Sequence, residues 1–157
     1  MKNYDKRYII ISTICILSML LIFLSCASKS IRIQMTDGKL RPCPESPNCV
    51  SSETGDEFSR IKPLTFQGSA ENAWKVLQES IASMGGNIQE ERKDYLRAVF
   101  TSMVFKFEDD LECRMVSAEG TIHIRSGARR GYSDFRVNAR RVENLRTIFN
   151  NIVKDGL

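Results

Sequence analysis

Residues 96–125 read LRAVFTSMVFKFEDDLECRMVSAEGTIHIR, and this stretch decides the fold class. Apolar and polar residues alternate through most of it, as in strands that bury one face and expose the other. The parity of the alternation changes at residues 101–102, which predicts a β-bulge or a bend. Turns are predicted at residues 109–110 and 118–120. Strands joined by such short connections pair antiparallel.

Helices are predicted on both sides of these strands. Ser69 is a good N-cap for the first helix, and Gly85 and Gly86 end it. Asn138 is predicted to cap the second helix, whose apolar residues recur at helical spacing. A short strand at residues 61–66 comes before both helices. The pattern predicts a two-layer α+β domain, with a small antiparallel sheet and both helices packed on one face, in the order β-α-β-β-β(-β)-α.

The N-terminal residues predict where the protein resides. A basic start at residues 2–7 precedes an apolar run at residues 8–24, which ends at Ser25 and Cys26. These features are typical of an export signal. The Ser25-Cys26 pair resembles a bacterial lipobox, in which the cysteine is acylated and becomes the new N-terminus, as in palmitate-bearing lipoproteins. The alternative is an uncleaved anchor helix, because the run is about long enough to cross a bilayer.

Both alternatives place the remaining chain outside the cytoplasm, facing the periplasm from the cell membrane or the outer membrane. We divide the chain into an export signal at 1–26, a spacer at 27–38 and a single α+β domain at 39–157, a size that suits one core. Residues 1–26 carry three basic side chains and one acid, so their removal lowers the formal net charge from +4 to +2. This small charge argues against nucleic acid as a partner.

The cysteines of the domain predict one disulfide. Residues 40–52 contain three prolines and predict an irregular loop, in which Cys43 and Cys49 frame five residues. In an oxidising compartment these two cysteines can pair. Cys113 shares a strand face with Leu111 and Met115, which predicts a buried, unreactive thiol. The Cys and His spacing matches neither a redox motif nor a zinc site, so we expect no metal and no cofactor.

An arginine-rich segment follows the last predicted strand, and residues 126–136, which contain Gly127 and Gly131, are predicted to form a loop. Guanidinium groups, a hydroxyl and helix-start amides together suit a phosphate or a carboxylate. The candidate anion-binding or ligand-binding residues are Arg125, Ser126, Arg129, Asn138 and Arg141. The alternative is a set of internal ion pairs, for which Asp109 and Asp110 are the expected partners.

Three segments together indicate a family. They are PCPESPNCVSS at 42–52, FEDDLECR at 107–114 and IRSGARRGYSDFRVNARR at 124–141. In this order and spacing they resemble the uncharacterised domain-of-unknown-function family 1499 of bacteria and plastids, over residues 40–149. The resemblance implies no established reaction. The chain differs from the family pattern at Arg136, where a glycine is expected, and at Cys113, where an aromatic residue is usual.

These observations lead to three hypotheses about function. The first is a non-catalytic, membrane-tethered envelope lipoprotein that binds a lipid-like or anionic small ligand between its helices and its sheet, with the arginines at the mouth of the pocket. The second is an envelope interaction or assembly factor with an unknown protein partner, which an exposed apolar patch would favour. The third is an enzyme, which no catalytic pattern supports; a hydrolytic activity abolished by His123→Ala would revive it.

Overall fold

A computed structural model of the chain describes residues 35–155, except for the side chain of residue 155. The elements in this part are β1 (Cys49–Ser51), β2 (Leu64–Thr65), α1 (Ala70–Ser83), β3 (Asn87–Glu91), β4 (Tyr95–Thr101), β5 (Glu108–Val116), β6 (Thr121–Ala128) and α2 (Val137–Asp155). The predicted export signal and most of the predicted spacer lie outside the described residues. Between residues 35 and 155, neither α-helix has both the length and the apolar character needed to cross a bilayer.

The strands form one antiparallel sheet in the order β1-β6-β5-β4-β3, and β2 also pairs with β6. Both helices contribute to one core on a single face of this sheet. Leu77 of α1 and Phe149 of α2 are fully buried there against strand residues such as Leu111 and Ile124. The predicted α+β class, the antiparallel sheet and the placement of the helices are therefore confirmed.

The boundaries of α1 follow the local signals of the sequence. The Ser69 hydroxyl accepts a hydrogen bond from the Asn72 amide at 3.3 Å, so Ser69 is the predicted N-cap. Met84 is the C-cap, and Gly85 follows with a φ of 80°, a conformation that glycine adopts without a Cβ penalty. Ile81 is fully buried on the apolar face. Local capping chemistry therefore fixes this helix at both ends.

The connection between β4 and β5 differs from the prediction. Residues 102–107, the hairpin loop, join the two strands, and both the amide and the hydroxyl of Ser102 form hydrogen bonds with the backbone of Phe107. The predicted turn at Asp109 and Asp110 is wrong, because both residues lie inside β5. The turn was predicted from the local preference of aspartate for turns. In the structure, the two carboxylates pair with arginines of other elements, and this pairing favours the extended strand.

Two strands extend into segments that were predicted to be irregular. β1 lies within the proline-rich segment, because the last proline is Pro47 and the chain is free to pair with β6 from Cys49. β6 continues through Ser126 and Gly127, which were predicted to belong to a loop. The irregular connection between β6 and α2, the arginine loop, is therefore shorter and spans residues 129–136.

The start of α2 also differs from the prediction. The helix begins at Val137, so Asn138 is not its cap. The Asp134 carboxylate takes this role, accepting hydrogen bonds from the Arg136 amide at 2.9 Å and from the Asn138 amide at 2.8 Å. The Asn138 side chain is instead buried, and it connects α2 to the chain that enters β1.

Candidate functional site

A cleft of about 710 Å³ lies between the segment that carries the Cys43–Cys49 disulfide, residues 54–61 and the start of α2. Small-molecule sites span roughly 300–1,000 Å³, so this volume suits a small ligand. The apolar side chains that line the cleft are Pro44, Pro47, Val50, Phe58, Ile61 and Ala139. The charged ones are Glu45, Asp56, Arg60, Asp134 and Arg136. An apolar lining with a few charged groups is typical of a site for an amphipathic molecule.

The disulfide loop, residues 43–49, forms one wall of the cleft. Cys43 and Cys49 are joined by the predicted disulfide. Cys49 is buried against Gly127 of β6, where a Cβ would lie only 3.1 Å from the Cys49 sulfur. A larger residue at position 127 would therefore push the disulfide away from the sheet. Pinning by the disulfide gives this proline-rich wall a defined position without regular secondary structure.

Buried Asn48 holds the disulfide loop against the arginine loop and α2. Its backbone carbonyl accepts hydrogen bonds from the Ala128 amide at 3.0 Å and from the Asn138 side chain at 3.2 Å. Its side chain donates to the Gly131 carbonyl. Ser126, also buried, donates from its hydroxyl to the Asn138 side-chain oxygen at 2.6 Å. Ser126 and Asn138, two of the predicted ligand-binding residues, are thus satisfied inside the protein.

Arg125 lies in the interior, on the sheet face opposite the helices. Its guanidinium is 2.8 Å from the Glu112 carboxylate, and the two residues are directly opposite each other on β6 and β5. Tyr95 donates its hydroxyl to the same carboxylate at 3.1 Å, and burial beside Glu112 raises the pKa of Tyr95. Burial lowers the pKa of Arg125, and the attraction of Glu112 offsets part of this effect.

Arg129 and Arg141 also face carboxylates of the chain. Arg129 binds Asp110 with two of its nitrogens, each at 2.9 Å, and this hydrogen bonding raises its pKa. Arg141 lies 2.7 Å from the Asp109 carboxylate, and its guanidinium is 4.6 Å from the centre of the Phe100 ring. The three arginines considered for an anion are therefore all matched by internal acids. The geometry favours the internal network, with Asp109 and Asp110 as partners.

The three sequence segments that indicated a family meet at this place. The disulfide loop, the start of β5 and the end of β6 are joined by the register of the sheet and by the ion pairs just described. The family model described as "Protein of unknown function (DUF1499)" matches residues 39–149. The chain belongs to the DUF1499 family. No protein among the curated sequences matches the chain.

The DUF1499 chain also places its single histidine beside a serine and a glutamate. The Ser52 hydroxyl is 3.3 Å from His123 Nδ1, and His123 Nε2 is 3.9 Å from the Glu53 carboxylate. However, the Ser52 hydroxyl also accepts a hydrogen bond from the Ile124 amide at 2.9 Å and lies 3.3 Å from the Ile124 carbonyl. It therefore takes the place of the backbone groups that a neighbouring strand would offer to Ile124. The Glu53 carboxylate accepts hydrogen bonds from Arg114 and from the Leu40 amide. These competing bonds argue for a structural role.

The pKa shifts at this cluster agree with a structural role. Burial lowers the pKa of His123, which favours the neutral imidazole. Burial also raises the pKa of Glu53, but the hydrogen bonds from Arg114 and from the Leu40 amide outweigh it and hold the pKa below its usual value. Among residues 35–155, no group of three or more His, Cys, Asp and Glu side chains could hold a metal ion.

Sequence reasoning missed two parts of this site. Glu112 could have been found, because strand alternation puts it on the same face as Arg125 of the neighbouring strand. The cleft could not, because its walls come from segments far apart in the chain and residues 54–61 carry no motif. The pocket predicted between the helices and the sheet is wrong as to place, since Leu77, Leu145 and Phe149 fill that space and are fully buried.

Proposed function

We propose that this DUF1499 chain is a membrane-tethered cell-envelope domain that binds a lipid-like ligand with an anionic head in the cleft beside the disulfide loop. The observation that carries the proposal is the cleft itself, whose apolar walls end at the exposed guanidinium groups of Arg60 and Arg136. Among residues 35–155, neither arginine has a carboxylate partner. The nearby carboxylates of Asp56 and Asp134 accept hydrogen bonds from Ser59 and from helix-start amides, so neither forms a direct ion pair with these two guanidinium groups.

The proposed binding mode follows from the lining of the cleft. Phe58, Ile61 and Ala139 offer apolar surface to a hydrocarbon or aromatic body. Burial of each methylene there contributes roughly 0.8 kcal/mol. Arg136 would form a charge-assisted hydrogen bond with a carboxylate or phosphate head.

The tether rests on the N-terminal sequence. An acylated Cys26 would hold the domain at the membrane by its lipid, whereas an uncleaved apolar run would hold it as a helix. Incorporation of a labelled fatty acid separates the two, because Cys26→Ser loses the label only if Cys26 is the acylated residue. Absence of both the label and membrane association in the wild-type chain would contradict the tether.

The ligand proposal is tested by titrating the domain that begins at Met35 with anilinonaphthalene sulfonate, an anionic aromatic amphiphile. Arg136→Glu should weaken binding at least about tenfold, because reversing one charge about 4 Å from an anion costs roughly 2 kcal/mol even in water-like surroundings. The matched control is Arg140→Glu, the same change of charge at another exposed arginine, outside the cleft lining. Equal affinity in both variants would contradict the proposal.

One observation favours a second candidate, an interaction or assembly factor. The hairpin loop exposes four large apolar side chains, Met103, Val104, Phe105 and Phe107. The same titration separates the candidates, because an assembly factor does not need a ligand in the cleft. Its probe binding would be weak and insensitive to Arg136→Glu.

A further inference from the structure

The register of the sheet brings three loops to one end of it. The hairpin loop leaves the sheet where Thr101 pairs with Glu108. The arginine loop leaves where Ala128 pairs with Asp109, the next residue along β5. The disulfide loop enters β1 opposite Gly127. In an antiparallel sheet these positions lie at the same end of the strands, so the loops form one surface.

This surface exposes large apolar side chains on two of its loops. They are Met103 (88% exposed), Val104 (79%), Phe105 (73%) and Phe107 (58%) on the hairpin loop, and Tyr132 (73%) and Phe135 (84%) on the arginine loop. Scattered exposed apolar residues are ordinary, but several large ones on neighbouring loops at one end of a sheet indicate a surface that meets a partner or a membrane. Four of the six are aromatic: tyrosine concentrates at the boundary between water and lipid, and phenylalanine is common on the apolar face of segments that lie in that boundary.

Most of the exposed charges without a carboxylate partner on the same surface are cationic. Lys106, Arg130, Arg136 and Arg140 are exposed. Carboxylates at this end, those of Glu108, Asp109 and Asp110, are engaged by Arg129 and Arg141. Glu45 of the disulfide loop is an exposed acid. Apolar side chains combined with unneutralised lysine and arginine are the composition of surfaces that lie in an anionic bilayer interface.

The hairpin loop presents its side chains in a defined arrangement. The Ser102 amide donates to the Phe107 carbonyl at 2.9 Å, and the Phe107 amide donates to the Ser102 hydroxyl at 2.9 Å, which closes the loop. The Phe105 and Phe107 rings are stacked with their centres 5.6 Å apart. A loop that is already ordered loses little conformational entropy when it enters a bilayer.

We propose that this end of the sheet docks into the interface of an anionic lipid bilayer, with the hairpin loop inserted between the headgroups. The proposal rests on the proposed function only for the tether. Eight residues lie between Cys26 and Met35, and the nine residue-to-residue steps from Cys26 to Met35 span at most about 30 Å when fully extended. Because Asp134 and Arg136 of the arginine loop also line the cleft, docking would bring the cleft to the membrane, from which a lipid-like ligand could enter.

The test compares two variants of the full chain, each with a single tryptophan, at opposite ends of the sheet. Trp74→Phe removes the chain's one tryptophan, and Phe105→Trp then introduces a reporter on the hairpin loop. The matched control is Ala118→Trp, an exposed position in the turn between β5 and β6 at the opposite end. Each chain is reconstituted in anionic vesicles whose acyl chains carry bromine, and circular dichroism checks that each is folded.

Docking predicts that bromine quenches most of the emission of the Phe105→Trp variant and little of that of the Ala118→Trp variant in chains that float with the vesicles. Floating chains in which the two positions are quenched equally, or neither is, would overturn docking and leave the tether intact. Emission at position 105 that shifts with protein concentration but not with bromine would show that a protein covers the surface, which also overturns docking. A chain that does not float would contradict both the tether and docking.

Discussion

Glu112 and Arg125 form an ion pair whose side chains are 1% and 5% exposed. Two charges removed from water are stabilising only together, because each one left alone in the interior keeps its full desolvation cost. The Arg41 guanidinium lies 3.3 Å from the same carboxylate and would face Arg125 without an intervening negative charge if Glu112 were removed. The acid is thus required for packing the arginines, whatever the domain binds.

Glu112→Ala should therefore lower the free energy of unfolding by about 3–5 kcal/mol, the usual cost of breaking a buried pair by removing one partner. Urea denaturation measures the change. The control is Glu143→Ala, which breaks the exposed pair with Arg146 and should cost less than about 1 kcal/mol. Equal losses in the two variants would show that the buried pair contributes no more than a surface pair.

Arg136 has a φ of 64°, in the left-handed region where a Cβ is unfavourable. The resemblance to the family led us to expect glycine at this position, and the chain has a backbone conformation suited to glycine while carrying a cation that lines the cleft. Arginine at this position places a positive charge in the cleft, and its left-handed backbone conformation is locally strained.

Arg136→Gly should stabilise the domain by up to about 1 kcal/mol, because relief of the left-handed strain exceeds the added entropy of the unfolded chain. Arg136→Ala removes the same charge but keeps the Cβ, so its stability should not rise. Thermal unfolding compares the two. A gain with alanine equal to that with glycine would assign the effect to the charge.

The disulfide loop shows how an element without regular structure is held. Its proline-rich segment has few backbone bonds of its own, so the Cys43–Cys49 disulfide, Asn48 and Gly127 determine its position. This loop is also a wall of the cleft. Its stability and the shape of the site are therefore linked.

Replacing both Cys43 and Cys49 with alanine should lower the free energy of unfolding by about 2 kcal/mol, the chain-entropy value for a loop this short. Probe binding in the cleft should weaken in the same variant, because one wall is released. A reductant should reproduce the loss in the wild-type domain and leave the double variant unchanged. A reductant effect on the double variant would point to a cause other than the disulfide.

The predictability of these elements depends on how local their causes are. α1 could be predicted at both ends, because Ser69 and Gly85 act on their own helix. The turn at Asp109 and Asp110 was predicted wrongly, because their partners are arginines up to 32 residues away in the chain. The cap of α2 was placed on Asn138 instead of Asp134, because the burial of Asn138 follows from tertiary contacts. The cleft depends on such contacts throughout.

At the scale of the whole molecule, one end of the sheet carries most of the features that bear on function. The cleft, its arginines and the exposed apolar loops all lie there. The arginines inside the domain are instead neutralised by acids of the chain: Glu112 pairs with Arg125, Asp110 with Arg129 and Asp109 with Arg141. The internal network therefore builds the domain, and we propose that the remaining cations, Arg60 and Arg136 among them, meet a ligand in the cleft.

Native mass spectrometry of the domain that begins at Met35, purified from the periplasm in which it was produced, tests whether the cleft binds a ligand. We predict a reproducible additional mass that is lost on denaturation, that is reduced in Arg136→Glu and that is retained in Arg140→Glu. The mass of the released molecule would then identify the ligand. A domain that carries no additional mass, or one whose additional mass is the same in both variants, would contradict ligand binding in the cleft.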